Sequence, residues 1–157
     1  MHPIVSCKRW ISWIALGCGV VSGASAQTGP QPRLPTITLT AGMHLIVAEV
    51  ARTPLQQQTG MMFRTEMGPN EGMLFVFDEV APRCFWMKNT LLPLSIAYIA
   101  DDGSIVNVAE MKPRSEQSHC SEKPVRFALE MNAGWFSRKG LLSGSKIRGG
   151  PIPATGR

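Results

Sequence analysis

A small, mainly β domain, barrel-like or sandwich, with one or two short helices is the fold class this sequence predicts. Three observations carry that reading. Short alternating or wholly apolar runs recur along the chain, as in Thr36-Ile37-Thr38-Leu39-Thr40 and Met73-Leu74-Phe75-Val76-Phe77. Turn signals rich in Gly, Pro, Asn and Asp separate these runs, and few stretches sustain a helical period. The length of 157 residues, with 44% hydrophobic and 17% charged residues, suits one globular domain rather than a disordered chain.

The first element predicted is a targeting segment. Lys8 and Arg9 precede an uncharged, mainly apolar run from Trp10 to Val21, and Ala24-Ser25-Ala26 then offers small residues to a signal peptidase. Residues 1–26 therefore read as a signal peptide cleaved before Gln27. An uncleaved interfacial helix is the alternative. Ala15-Leu16-Gly17-Cys18 resembles a lipid-attachment site only loosely, because Cys18 sits within the apolar run rather than after it. The run is shorter than the roughly 20 residues a spanning helix needs, so no permanent membrane anchor is expected after cleavage. Periplasmic or secreted localisation follows. Cleavage removes two cations and takes the net charge from +5 to +3.

Residues 27–42 are expected to hold a solvated linker, rich in Pro, Gly and Gln, and the first strand over Thr36–Thr40. A single β-barrel-like domain then covers 43–150. His44 to Val50 is a second β run after the turn at Ala41-Gly42. Thr53-Pro54 supplies an N-cap hydroxyl and a proline at the first helical position, and Gly60 ends that short helix. The apolar run Met73–Phe77 follows the polar turn 68–72 and reads as a strand buried on both faces. Val80-Ala81-Pro82 breaks it, and Cys84 to Met87 resumes extended structure. Leu94–Ala100 and Ile105–Met111 flank Asp101-Asp102-Gly103-Ser104, a strong hairpin signal. Lys112–Pro124 is a polar loop and Val125–Met131 a further strand. Ala133–Lys139 is one helical turn or two, ended by Gly140. Leu141-Leu142 and Ile147 suggest a final short strand pair. The chain is expected to fray from Gly149, with 151–157 as a tail.

Cys84 and Cys120 remain after cleavage. An even pair in an oxidising compartment is a disulfide candidate. Such a bond would close a loop of 36 residues, a stabilisation of roughly 3–4 kcal/mol in the chain-entropy model. Two free thiols too far apart to bridge are the alternative, and the sequence leaves the choice open.

Several motifs in succession resemble a known family. Gly60-Met61-Met62-Phe63-Arg64, Glu71-Gly72-Met73-Leu74-Phe75-Val76-Phe77, and Phe85-Trp86-Met87-Lys88-Asn89-Thr90 with Pro93-Leu94 are similar to those of the domain of unknown function 192 family. Leu129-Glu130 with Gly134 matches its later part, and the likeness spans roughly Leu45 to Arg148. The resemblance implies a compact β-barrel-like fold found in bacteria and archaea, often behind a signal peptide, and brings no established activity. Ser95 and Ser145 depart from the family pattern, where Asp is usual, so no carboxylate role carries over to those positions.

Arg83, Trp86, Lys88 and Asn89 form the densest group of ligand-binding candidates. Alternation puts Trp86 and Lys88 on one face of an extended segment and Phe85 and Met87 on the other. A tryptophan beside a cation and an amide could wall a pocket for a small anionic or planar ligand. The competing reading makes Trp86 core, Lys88 solvated and Asn89 a turn residue. Asp78, at a strand end, and Glu130, within a strand, complete the candidate site. Glu130 buried without a partner would be costly, so an ion pair with Arg83 or Arg126 is its expected structural role.

Nucleophilic catalysis lacks a motif: there is no Gly-x-Ser-x-Gly, phosphate loop, His-Glu-x-x-His or Cys-x-x-Cys in the mature part. His119 neighbours Cys120, but consecutive residues of an extended loop point apart. Methionines, the two cysteines, His44 and His119 leave a copper-handling role as a minor alternative. No cofactor or defined metal site is predicted. The cations are scattered among carboxylates, which excludes a nucleic-acid groove. The first expectation is therefore an exported, non-catalytic module for an unknown small molecule or protein partner. An enzyme using Asp78 or Glu130 as acid or base is the second, and a structural accessory domain the third.

Overall fold

The computed structural model describes residues 28–153. The expected signal peptide, 1–26, and the last four residues lie outside them. The elements in chain order are β1 (Thr36–Ala41), β2 (His44–Ala51), α1 (Pro54–Thr59), β3 (Glu71–Ala81), β4 (Cys84–Phe85), β5 (Leu94–Ile99), β6 (Ile105–Met111), β7 (His119–Cys120), β8 (Val125–Asn132), α2 (Trp135–Arg138) and β9 (Ile147–Arg148). The mainly β fold class is as the sequence predicts. Seven strands form one curled, half-barrel sheet in the order β6-β5-β8-β3-β2-β1-β9, and β4 and β7 pair separately.

Local chemistry explains the strand ends. Gly42, with φ +59°, turns β1 into β2. At Thr53 a full capping box forms: the hydroxyl accepts from the Gln56 amide while the Gln56 side chain accepts from the Thr53 amide. The helix α1 so started carries the chain across to β3, which runs parallel to β2. At the far end of the sheet, Ser104 bridges to Lys146, and the Ile105 amide donates to the Ser145 carbonyl. Those bonds draw the β6 edge toward β9 and curl the sheet.

Both faces of the sheet are buried. Leu39, Ile46, Leu74, Ala97, Leu129 and Met131 pack on one face against Trp135 and Phe136 of α2. Alternation sends Met73, Phe75, Ile96, Tyr98 and Ala128 to the other face. That second face is covered by the 60–67 segment after α1 and by the 82–92 and 112–124 excursions. A disulfide joins the two excursions, Cys84 to Cys120, at the β4–β7 pair. The sequence had left that pairing open.

Four details differ from the sequence reading. The supposed solvated linker docks: Gln31 donates to the Gln56 and Gly60 carbonyls, and the Leu34 amide and Arg33 both reach the Glu49 carboxylate. Strand β3 runs on to Ala81 through an irregularity after Val76, so the break falls at Pro82. Leu141 and Ile147 do not pair with each other, because β9 takes the free edge of β1. The end is not frayed at Gly149, which bridges to Ile152, and the Ile152 side chain is buried in the core. An apolar residue near the terminus had core to gain.

Candidate functional site

A cleft of about 320 Å³ opens on the second face of the sheet. One wall is the C-terminal half of α1 and the turn after it, from Gln57 to Met62. The facing wall is Pro82 to Trp86, with Phe75 and Phe77 of β3 and Glu130 of β8 beneath. Its size is at the lower end of the range for small-molecule pockets, roughly 300–1,000 Å³.

The floor is set by register. Glu130 lies between Met73 of β3 and Ile96 of β5 in the middle of the sheet. Its side chain therefore rises from an apolar surface, and only 4% of the residue is exposed. Its Oε2 is buried without a hydrogen-bond partner. Among the described residues it makes no ion pair, so the expected bridge to Arg83 or Arg126 does not exist. Arg126 instead binds the Asp101 carboxylate and the Asp78 carbonyl. Removal from water disfavours the charged form and pushes the carboxyl up to about 8. Glu130 thus keeps its proton at neutral pH. Beside it on β5, the Tyr98 hydroxyl donates to the His119 carbonyl at 2.6 Å. Burial, and then the charge on Glu130, raise that phenol well above its ordinary value.

The walls are held by specific bonds. Gly60 ends α1 at φ +49°, and a Cβ there would press on the Phe75 ring, so a glycine is needed to close this wall against the floor. Gln57 reaches across to the Val76 carbonyl at 2.7 Å and ties α1 to β3. On the other side Arg83 lies over the Phe77 ring, 4.0 Å from its centroid, and donates to the Glu79 carbonyl. The Arg83 Nε is buried and unpartnered. Phe85 packs edge-on to Phe75, Phe77 and Tyr98. Alternation then turns Trp86 outward, 49% exposed, while Met87 is wholly buried.

The six predicted ligand-binding residues separate. Arg83, Trp86 and Glu130 line the cleft together. Lys88 faces solvent and pairs with Glu116 at 3.3 Å, its ammonium 5.4 Å from the Trp86 ring centroid. Asn89 points its amide at the Met62 sulfur, and its carbonyl accepts from the Phe63 amide. The turn 87–90 is clamped from two sides, by Phe63 at φ +61° and by Arg114 at φ +56°, whose amide donates to the Thr90 carbonyl. Two bulky residues in the left-handed region store strain there. That turn positions the wall, and of its residues Thr90 reaches the cleft lining while Lys88 and Asn89 do not. Asp78 is exposed and lies outside the cleft lining. Both cysteines are consumed by the disulfide, which removes the thiolates a copper site would use. Among the described residues no group of three or more His, Cys, Asp and Glu could hold a metal ion.

Sequence reasoning missed Gln57, Gln58, Phe75, Phe77 and Thr90 as lining residues. For the two glutamines the available signal was the helix start at Thr53-Pro54, which puts both on α1 but does not say which face of α1 meets the sheet. It also missed a buried ion pair, Arg64 to Glu49 at 2.9 Å, on the same face of the sheet.

Fold and site together define a small, disulfide-linked half-barrel domain with a ligand-sized cleft on the second face of its sheet. Among its described residues no helix is long and apolar enough to cross a membrane. The chain belongs to the DUF192 family, described as uncharacterized ACR, whose model matches residues 37–149. No curated protein matches it. Among solved structures it is similar to a Sinorhizobium meliloti 1021 protein described as a candidate transcription regulator, at 40% identity and a TM-score of 0.68, covering 71% of this chain and 90% of that one. It is also similar to a Novosphingobium aromaticivorans DSM 12444 protein of unknown function, at 33% identity and a TM-score of 0.72, covering 80% of this chain and 94% of that one.

Proposed function

We propose that the chain is exported and that its domain binds a small molecule, without chemistry, in the cleft between α1 and the Pro82–Trp86 wall. One observation carries the binding reading: a buried carboxyl on the cleft floor, Glu130, whose Oε2 has no partner. An unpaired buried polar group costs about 1–3 kcal/mol, and a ligand that bonds to it recovers that cost. Export is supported by the N-terminal sequence pattern and by the disulfide, a bond rare in reducing compartments.

Binding is preferred to catalysis because, among the described residues, the titratable side chains lining the cleft are Arg83 and Glu130. General acid–base chemistry on a nucleophile would need a second activated group within hydrogen-bond reach. Nucleic acid is not the proposed partner. Arg33, Arg64, Lys88, Arg126 and Lys146 each pair with a carboxylate, and the remaining cations are scattered along the chain rather than interleaved with aromatics in one stretch.

The test is a small-molecule screen read by amide NMR shifts on the protein recovered from its native compartment, repeated with Trp86→Ala. Hits should shift Gly60, Phe75, Trp86 and Glu130 and weaken in the variant. A broad screen in which no compound disturbs those residues refutes the reading. N-terminal sequencing of the same preparation should begin at Gln27, and an intact Met1 refutes export.

A further inference from the structure

Two residues that line the cleft each carry a buried, unpartnered polar atom: Oε2 of Glu130 and Nε of Arg83. Their neighbours are already occupied. A terminal nitrogen of Arg83 is spent on the Glu79 carbonyl, and the Gln57 amide donates to the Arg52 and Val76 carbonyls. What a ligand must satisfy is thus set by the chemistry of these two atoms.

We infer that the cleft selects a carboxylate carried on a small planar, apolar body, with Arg83 and Glu130 both donating to it. This deepens the proposed binding function and rests on it. An arginine Nε–H can only donate. A buried carboxyl that keeps its proton also donates, so the complementary group must accept twice. A carboxylate does so with two oxygens, and an O–H to carboxylate bond is among the stronger hydrogen bonds, at about 2.5–2.7 Å. The guanidinium adds a charge of the right sign. An ammonium ligand would meet two donors and a like charge. The planar body follows from the walls: Phe77 and Phe85 on the inner side and the half-exposed Trp86 at the rim. A volume of about 320 Å³ suits an aryl acid rather than a larger ligand.

The protonation requirement makes the selection pH-dependent. Burial holds the Glu130 carboxyl near 8, and above that pH it becomes an acceptor facing an anion. The groups that bear on it are few. Tyr98 of β5 has its phenol pushed up by burial and stays protonated through the range. Arg83 lines the same cleft. His119 of β7 stands behind Tyr98, in contact through its carbonyl. The sheet neighbours Met73 and Ile96 and the α1 residues Gln57 and Gln58 do not titrate.

The test titrates phenylacetate, phenylacetamide and phenethylamine separately into the full-length gene product as purified, following amide shifts between pH 6 and 9.5. Phenylacetate should bind at least tenfold more tightly than the amide at pH 6.5 and lose about tenfold per pH unit above 8. Glu130→Gln should abolish that pH dependence, and Arg83→Gln should weaken phenylacetate while sparing the amide. Equal or tighter binding of the amide or amine overturns the carboxylate selection and leaves the cleft as a binding site. Shifts from none of the three probes at the cleft residues, where a broad screen has found other ligands there, also overturn it. If that screen finds none either, the binding function itself fails.

Discussion

Replacing Glu130 by glutamine should flatten the dependence of folding stability on pH. The native carboxyl holds its proton up to about 8, against 4.5 for an ordinary one in the unfolded chain. Between those values the native state binds more protons than the unfolded state, so raising the pH favours unfolding. The group's stabilising share is fully present below 4.5, is lost as pH rises through 8, and is constant beyond. At about 1.4 kcal/mol per pH unit, the full window amounts to roughly 5 kcal/mol. That is a large part of the 5–15 kcal/mol by which domains are usually stable. The glutamine variant has no proton to lose. It places a buried amide where one donor was tolerated, at a cost of about 1–3 kcal/mol that is independent of pH. The two stability curves should therefore cross, with the wild type more stable at pH 5 and the variant more stable at pH 9. Urea unfolding followed by tryptophan fluorescence at pH 5, 6, 7, 8 and 9, without reductant, measures both. Parallel curves would refute the argument, because they would mean that Glu130 titrates alike in both states.

The disulfide gives a second expectation: intact mass should rise by two hydrogens on reduction, and Cys84→Ser with Cys120→Ser should lower stability by roughly 3–4 kcal/mol in urea. Free thiols in the unreduced protein would contradict the Cys84–Cys120 bond. Arg64→Ala strips the buried Glu49 carboxylate of its inner cation, leaving the half-exposed Arg33 and the Leu34 amide. The loss should be about 3–5 kcal/mol, and adding Glu49→Gln should recover part of it. No recovery in the double variant would show that packing, not charge, holds that corner. Gly72→Ala would drive a methyl into the Glu130 carbonyl and the Met131 sulfur. Overpacking against backbone should cost about 1–3 kcal/mol in chemical denaturation, and an unchanged midpoint would rule out close β3–β8 approach there.

The parts of this fold that were legible in the sequence are those fixed by neighbours. Alternation in Thr36–Thr40 and Ile105–Met111, the Asp-Asp-Gly-Ser turn and the Thr53-Pro54 start each depend on a few consecutive residues, and each element formed close to where it was expected. The parallel β2–β3 pairing, the docking of β9 on β1 and the burial of Ile152 depend on which distant segment offers an open edge or an apolar hollow. No local pattern encodes that. The same distinction divides the site. Alternation put Trp86 and Met87 on opposite faces without saying which was buried, and in the structure Trp86 is half-exposed and Met87 buried. Lys88 and Asn89 sit beside Trp86 in the chain, yet in the structure neither lines the cleft that Trp86 borders. Ser95 shows the same limit from the other side. The family pattern has Asp there, and here the Glu110 carboxylate from β6 reaches both the Ser95 hydroxyl and the Gly134 amide.

Glu130 is where local and global requirements disagree. Its strand reads as apolar on both faces, its neighbours across the sheet are Met73 and Ile96, and an apolar residue of similar size would fill the same space without the desolvation cost. Glu49, the other buried carboxylate on this face, shows what a structural acid looks like here. Two arginines and the Leu34 amide surround it, and its charge is answered. Glu130 has no such surround, although Arg83 lines the same cleft. On the proposed binding function, a side chain that makes the fold less stable, in a position where packing would not ask for it, is explained by what it would bond to outside the folded chain. The open cleft above it is the place where that explanation can bind.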